Sequence, residues 1–405
     1  MSSMSARHDV VIVGGGLVGA SLAIALDRLG RDIALVEATP PGEVPAVFDE
    51  RNLSFAAATV NALTALGVMQ RLRNPTGPIR QIHVSRAGDF GRVLLRASDY
   101  GRSAFGQVVV ARDFGVALED ALADCRHLTR YRPATFLRLA PERDGLRQVR
   151  IGRGDGELEL SAPLLVGADG SHSAVRGAVG IGAERHDYGQ RLFVARVRTS
   201  RAPDGTAWER FGNDGPTALL PRGDRHHGLI HGVPEHQAEA VAALDEAGWL
   251  AHAQAAFGWR AGKFLASGPR SAYPIARVLA ERLTAARAVL LGNAAQSIHP
   301  LGAQGFNLGL RDALTLAELV AESEDPGSDA LLAEYVRRRQ PDRERTLRFS
   351  DGLARLTSND APLLRPLRSA GLLAAGSVPA VQSMLVGGAM GFAGDVPALC
   401  REVAA

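Results

Sequence analysis

Residues Asp9 to Glu37 read DVVIVGGGLVGASLAIALDRLGRDIALVE, and their pattern sets the fold at the start of the chain. Asp9 to Val13 is an apolar, β-branched run that ends in Gly14, Gly15 and Gly16. Leu17 to Leu29 has helical periodicity and stops at Gly30, and a second strand runs from Ile33 to Glu37. Strand, glycine turn, helix and strand form one βαβ unit. In Gly14-x-Gly16-x-x-Gly19 the first glycine permits a tight turn, the second lets backbone approach a pyrophosphate, and the third lets helix pack on strand. The helix N-terminus presents N–H groups and a positive dipole end to phosphates. Glu37 ends the second strand, where a carboxylate takes ribose hydroxyls and disfavours a 2′-phosphate. The unit predicts FAD or NAD as ligand, not NADP.

Two further glycine-bearing turns follow buried-looking strands. Gly167-Ala168-Asp169-Gly170-Ser171-His172-Ser173, with Arg176, follows Leu164–Val166, and Asp169 and Ser171 supply N-cap chemistry. Gly292-Asn293-Ala294-Ala295-Gln296 follows the strand AVLLG and runs on through His299, Pro300, Gly302, Gln304 and Gly305 to Asn307. That stretch predicts a backbone-lined cradle before a helix at Arg311 to Glu322, whose N-terminus suits an anionic, reduced ring system. No second GxGxxG follows a strand, so a second dinucleotide domain is not expected.

Between these motifs the reading is coarser. Helices are predicted at Leu63 to Leu72, Phe114 to Leu122, about 235 to 257 and Leu331 to Arg355, the last kinked or split by Pro341. Strands are predicted over 79 to 96 and 146 to 170, and several short antiparallel runs over 191 to 233.

The chain has 405 residues, 46% hydrophobic and 22% charged, with a net charge of +3, which is globular composition. Lys263 is the only lysine, and aromatics make up 5%, so neither a basic stripe nor a stacking surface for nucleic acid is expected. Cys125 and Cys400 have no metal-ligand or disulfide spacing, and no metal is expected. Met1 to Asp9 lacks an apolar signal core, which predicts a cytoplasmic protein. Ser369 to Gly394 carries no charge, but Pro379, Gln382 and six glycines argue against a membrane span. A C-terminal helix with its apolar face on the core is expected there, or a segment touching a membrane or partner.

The three motifs, in this order, resemble the FAD-dependent aromatic hydroxylases of group A, which share the p-hydroxybenzoate hydroxylase fold. The resemblance implies that Gly14, Gly16, Gly19 and Glu37 hold the ADP half of FAD, and that Asp169 and Gly170 serve FAD and the pyridine nucleotide. It places Gly292 and Asn293 at the ribityl chain and Pro300, Gly302, Gln304, Gly305 and Asn307 around the flavin ring. Phe105-Gly106-Gln107 with Arg112-Asp113 looks like the family segment whose glutamine touches the ribityl chain. Phe48-Asp49-Glu50-Arg51 looks like the segment whose arginine, here Arg51, reaches the diphosphate. Asn293 stands where the family has Asp, and Gln296 where it often has His. With these departures, and with Trp208-Glu209-Arg210-Phe211 and Arg270-Ser271-Ala272-Tyr273-Pro274, the chain resembles the 2-polyprenyl-6-methoxyphenol hydroxylase branch of ubiquinone biosynthesis from Val10 to about Leu356.

That family implies an α/β fold: a Rossmann-like FAD-binding domain (1–75, 100–180, 285–355), an inserted, mostly antiparallel β-sheet substrate domain (76–99, 181–284) and a C-terminal helical segment (356–405). The resemblance further implies that NAD(P)H or another electron donor reduces FAD, that O2 forms a C4a-hydroperoxide, and that oxygen passes to C1 of a polyprenylated phenol. The alternatives are a sister enzyme acting at C5 or C6, another group A phenol hydroxylase, and a non-catalytic flavoprotein subunit. A ubiquinone-biosynthesis complex and a peripheral membrane contact through 369–394 are the expected partners. The phenol must lose a proton; His231, Tyr273 and His299 are the candidate bases, and the residues do not choose among them.

Overall fold

The computed structural model describes residues 6–43, 50–358 and 365–401. In chain order β1 (Ala6–Arg7), β2 (Val10–Val13), α1 (Leu17–Asp27) and β3 (Ile33–Val36) come first. Next are β4 (Asn52–Ala56), α2 (Ala57–Ala65), β5 (Gly77–Pro78), β6 (Gln81–Arg86), β7 (Arg92–Arg96), β8 (Gly106–Val110) and α3 (Ala111–Ala123). The chain continues with β9 (Leu128–Tyr131), β10 (Thr135–Arg143), β11 (Leu146–Arg153), β12 (Gly156–Ala162), β13 (Leu164–Gly167), α4 (Ala174–Ala178) and β14 (Ala183–Thr199). β15 (Thr206–Phe211), β16 (Pro216–Pro221), β17 (His227–Pro234), α5 (Glu235–Ala242), α6 (Glu246–Phe257), β18 (Phe264–Ser267) and β19 (Ser271–Ala280) follow. The last elements are β20 (Thr284–Ala285), β21 (Ala288–Leu290), β22 (Gln296–Ser297), α7 (Gln304–Ala321), α8 (Asp329–Ser358), α9 (Arg365–Ser377) and α10 (Pro379–Met390).

A six-stranded sheet, ordered β20-β21-β13-β2-β3-β9, carries the three glycine motifs. β2, β3 and β13 are buried at every position, which is why they are unbroken apolar runs. The pairs β21–β13, β13–β2, β2–β3 and β3–β9 are parallel, so the motifs leave the carboxyl ends of neighbouring strands together.

The larger sheet is ordered β22-β19-β14-β17-β16-β15-β6-β7, with β18 paired to β14. It is antiparallel except where β15 runs parallel to β6. α5 and α6 cover one face, with Phe193, Val197, Leu219, Leu229, Trp249 and Phe257 as core. A cavity of about 450 Å³ opens on that face beside Trp249 and Arg270. The other face carries Val93, Leu95, Ala207 and Leu220 and meets Val386 and Met390 of α10.

Four predicted elements differ. The helix expected at Leu63 to Leu72 is α2, which ends before Gly67, a glycine at φ +72° that accepts the left-handed turn, followed by a 3-10 turn at Met69–Arg71. The short runs expected over 191 to 233 begin as one 17-residue strand, β14, with a register shift between Asp187 and Arg191. α7 starts at Gln304, seven residues before the predicted helix at Arg311. Gly305, placed in the predicted cradle, lies in the first turn of α7, and at Gly309 a Cβ would lie 2.8 Å from Val18 Cγ2, so that glycine lets α7 close on α1. Pro341 does not split α8, which continues through it.

The C-terminal segment forms α9 and α10, bent by 85° to one another, and no single helix among the described residues is long and apolar enough to cross a membrane. Gly91 and Gly376 let α9 approach β7, since a Cβ on either would strike backbone at 2.2 and 2.6 Å.

Candidate active site

The first turn is built by close approach. Gly14 has φ +104°, and a Cβ there would sit 2.4 Å from the Ala168 carbonyl oxygen. A Cβ on Gly19 would lie 2.0 Å from the Gly14 carbonyl oxygen, whereas one on Gly16 would meet nothing within 4 Å. Gly16 is also the N-cap of α1, and no side chain caps that helix. Its first N–H groups are thus left for an anion, with room before them. Glu37 accepts from the Gly15 N–H at 2.7 Å and the Thr39 N–H at 2.8 Å. Those bonds fix the carboxylate and leave lone pairs for hydroxyl donors.

The second turn is held by its own acid. Asp169 accepts from the Ser173 hydroxyl at 2.5 Å and the Val175 N–H at 3.1 Å. The cap of α4 is Ser173, which accepts from the Arg176 N–H at 2.9 Å; Ser171 instead pairs with the His172 ring. Arg176 ties this turn to the third by donating to the Ala294 carbonyl at 2.9 Å and the Ser171 carbonyl at 3.0 Å. Gly170 takes φ +85° with open space beside its Cα.

In the third motif Gly292 lies at φ +56° against Val18, 3.0 Å from a would-be Cβ. Asn293 is exposed and its amide makes no hydrogen bond within the described residues. Gln296 is turned inward: it donates to Asp312 at 2.7 Å and accepts from Arg343 at 3.1 Å. Pro300 leads into a left-handed pair, Gly302 (φ +71°) and Ala303 (φ +51°), and α7 begins there without a side-chain cap. Gln304 donates back to the Gly302 carbonyl at 3.0 Å. Asn307 spends its whole amide on protein partners: it accepts from the Ala56 N–H and Thr59 hydroxyl and donates to the Ser54 and Ala303 carbonyls. Beside it, Phe306 packs on Phe55 and Phe114 with ring centroids 5.3 and 5.4 Å away. Asn307 and Phe306 therefore anchor α7, and Gly305 sits in its first turn.

These features fit FAD. Two uncapped helix starts, α1 and α7, offer N–H donors for a pyrophosphate and an anionic ring, and the fixed Glu37 and free Asn293 offer polar groups for the sugar and ribityl hydroxyls.

Around them, the Gln107 carbonyl accepts from the Thr76 hydroxyl at 2.9 Å. Arg112 is exposed and pairs with Glu50 at 3.2 Å. The Arg51 guanidinium stands 4.9 Å from the Tyr273 ring centroid. Phe48 and Asp49, quoted for the same segment, lie outside the described residues.

The three candidate bases are scattered. His231 lies in the core between the large sheet and α6, on the face away from the flavin loop: Nδ1 meets Thr217 at 2.9 Å and Nε2 meets His252 at 3.0 Å. Burial, with His252 adding to it, pushes its pKa down to about 3. Its alternation with Leu229 and Val233 along β17 puts it there. Tyr273 sits on β19 beneath Arg51. His299 does belong to the flavin loop: its Nδ1 accepts from the Leu301 N–H at 3.2 Å and its ring meets Tyr188 edge-on at 4.8 Å. Burial lowers its pKa to about 4 against the pull of Asp351, so the ring is a neutral loop brace.

A residue outside these candidates lies nearer the loop. Alternation along β15 puts Ala207, Glu209 and Phe211 on the face toward α10 and the flavin loop, and Trp208 on the other. Phe211 packs on Leu301. Burial raises the Glu209 pKa to about 7, and the Gly302 N–H opposes the rise. The available signal was an acid between an alanine and a phenylalanine on an apolar strand face.

Comparison with known proteins agrees with this geometry. Residues 7–350 match the family model described as FAD binding domain. The chain belongs to that family and is an FAD-dependent monooxygenase. The flavoprotein is 33% identical over 388 residues to ubiquinone hydroxylase UbiL of Rhodospirillum rubrum, covering 95% of this chain and 89% of that one. It is 30% identical over 378 residues to 3-demethoxyubiquinol 3-hydroxylase of Escherichia coli, covering 91% and 94%. Its fold matches the crystal structure of p-nitrophenol 4-monooxygenase PnpA from Pseudomonas putida with a TM-score of 0.79 at 18% identity, over 99% of this chain and 100% of that one.

Proposed function

We propose that this flavoprotein hydroxylates a polyprenylated phenol in ubiquinone biosynthesis, at C1 of a 2-polyprenyl-6-methoxyphenol, using O2 and NAD(P)H or another electron donor. The observation that carries the reading is the near full-length similarity to ubiquinone hydroxylase UbiL, joined to an intact set of flavin turns. Bound FAD supplies O2 activation and delivery of one oxygen atom to an electron-rich ring carbon. The chain's own residues hold the cofactor and the substrate. Gly14, Gly16, Gly19 and Glu37 take the ADP half, with Arg51 near the diphosphate. Asp169, Gly170, Gln107, Arg112, Gly292 and Asn293 shape the ribityl path. Pro300, Gly302, Gln304, Gly305 and Asn307 form or brace the loop under the ring. The loop's N–H groups favour negative charge there, and the apolar face of the large sheet excludes water.

The test is deletion of the gene and mass spectrometry of the accumulated quinone precursor. A 2-polyprenyl-6-methoxyphenol lacking the C1 oxygen is expected. Accumulation of a demethoxyubiquinol-type precursor instead would move the activity to a sister ring position, a reading the similarity to the Escherichia coli 3-demethoxyubiquinol 3-hydroxylase favours. No change in quinone content, with purified protein that oxidises no NAD(P)H, would overturn an enzymatic role.

The chain's contact with a membrane is part of the same proposal. Leu373 on α9 is 52% exposed, Val378 between the helices 42% and Met384 on α10 68%, and Phe90 is 76% exposed on the adjoining β6–β7 turn. Val386 and Met390 face the core. The pair thus buries one face and shows an apolar other, as an interfacial segment does. Leu373→Asp with Met384→Asp is expected to cut sedimentation with anionic vesicles while turnover of a short-chain phenol stays within about twofold, since exposed substitutions cost little. Unchanged vesicle binding would sink the membrane assignment.

A further inference from the structure

Glu209 sits deep in the protein yet keeps partial accessibility. Two surfaces meet at it, the β15 face and the loop at Leu301 and Gly302. On the sheet side Val84 and Ala218 lie opposite Glu209 on the neighbouring strands. On the loop side Leu301 packs on Phe211, and the Gly302 N–H approaches the carboxylate. Glu209 has no ion-pair partner within the described residues.

The charged and titratable groups around it are otherwise engaged. Arg86, on the same face of β6, donates to the Asn213 side-chain oxygen at 3.3 Å. Arg210 and Trp208 point to the opposite face of β15. β16 brings no titratable side chain. His299 is neutral and braces Leu301. Tyr188 donates to Asp351 at 3.0 Å, and Asp351 also takes Arg277. An isolated carboxylate in an apolar setting is costly to keep ionised unless a donor arrives to share its charge.

Resting on the hydroxylase reading above, we propose that Glu209 accepts the proton of the substrate's phenolic hydroxyl during oxygen transfer. The O–H bond breaks, its proton passes to a Glu209 oxygen, and its electron pair enters the ring. The ring carbon that this activates forms its bond to one oxygen atom from O2, the oxidant. The second oxygen atom leaves as water, with electrons from the nicotinamide or other reductant. Loss of the ring carbon's own hydrogen as a proton restores the aromatic ring. A free phenol has a pKa of about 10, so an acceptor near 7 is a general base matched to neutral pH. The position also explains why the acid sits against the loop and not among the helices on the far face.

A purely structural role would be to hold Gly302 through its N–H. Glu209→Gln separates the two, because a carboxamide oxygen still accepts from Gly302 but takes no proton. With FAD-loaded protein, the wild-type hydroxylation rate is expected to rise with pH up to about 7 and then level off, and Glu209→Gln to be roughly 10²–10⁴-fold slower with that inflection gone. FAD affinity is expected to be equal in the two. Glu209→Asp, which keeps a carboxylate, is expected to retain an inflection. A binding measurement provides a second readout. In the wild type at pH 6.5, binding of the phenol is expected to release protons, because its hydroxyl favours ionised Glu209; its O-methyl ether is expected to release none. If Glu209→Gln does not fold, this wild-type titration decides alone, and equal proton release for phenol and ether overturns the proposal. Overturning outcomes for the variant are a wild-type pH profile, or loss of FAD together with activity. A wild type that hydroxylates no phenol overturns the functional reading and the proposal together; a wild type that does, matched by Glu209→Gln, overturns the proposal alone.

Discussion

Gly16 and Gly19 belong to one motif but are constrained by different things. Around Gly19 the constraint is the protein itself, since a Cβ would strike the Gly14 carbonyl at 2.0 Å. Gly19→Ala should therefore lower the melting temperature of the FAD-free protein, at a cost of about 1–3 kcal/mol from forced overpacking. Around Gly16 the space is open, so the protein itself sets no steric limit there, and the proposed pyrophosphate would be the constraint. Gly16→Ala should leave FAD-free stability within about 1 kcal/mol, because the residue's dihedrals suit alanine and only a cap preference is lost. Its FAD dissociation constant should rise at least about tenfold, the equivalent of 1.4 kcal/mol. Equal FAD affinity in Gly16→Ala and wild type, read by flavin fluorescence, would show that the pyrophosphate does not pass there. The glycines and Glu37 were legible in the sequence because their constraints are local: a turn, a helix start and a strand end a few residues apart. Glu209 was not, because strand alternation shows that it faces away from Trp208 but not which face meets a loop 90 residues further on.

At the scale of elements, α7 and α8 are joined by a buried ionic cluster. Asp342 pairs with Arg311 at 2.8 Å and with Arg339, and Arg339 pairs with Asp312 at 2.7 Å. Gln296 joins Asp312 to Arg343. Burial would raise the Asp342 pKa, but Arg311 and Arg339 outweigh it and hold the acid at about 2. The cluster brackets Pro341, so the ladder bond the proline removes is offset by charged bonds on either side, and α8 stays continuous. Sequence periodicity records the proline and cannot record this compensation, which is why a kink or a split was expected. The cluster also accounts for Gln296, whose amide is spent on Asp312 and Arg343 of the helix pair. Asp342→Ala should destabilise the protein by about 3–5 kcal/mol, since it strands buried guanidinium groups. Arg311 is most affected: its Nη1 already lacks a partner. The shift in urea midpoint checks this, and a loss under about 1 kcal/mol would mean that the arginines find water or new partners.

Across the whole molecule, burial depresses four histidines well below their ordinary range: His83, His227 and His299 to about 4 and His231 to about 3. They come from the large sheet and the flavin loop, so their titration reports on the assembled fold and not on one element. In the unfolded chain each would titrate near about 6.5. Between that value and about 4 the unfolded state binds more protons than the folded one, so stability falls as pH drops through this window. Each fully shielded neutral imidazole contributes a slope of up to about 1.4 kcal/mol per pH unit, and less for the partly shielded His83. Glu209 works the other way. Its folded pKa is raised to about 7, so between its unfolded value of 4.5 and 7 the folded state binds the extra proton, and acidification there adds stability. One acid offsets about one histidine and leaves a net loss. The urea midpoint of the FAD-free protein should therefore be nearly flat from pH 8 to 7 and fall steeply below about 6, before the surface carboxylates titrate. The double variant His227→Gln, His231→Gln should flatten that fall, because neither replacement takes a proton. A midpoint unchanged between pH 7 and 5 would mean that these rings are charged in the fold, and His299 could then not accept from Leu301 as the flavin loop requires.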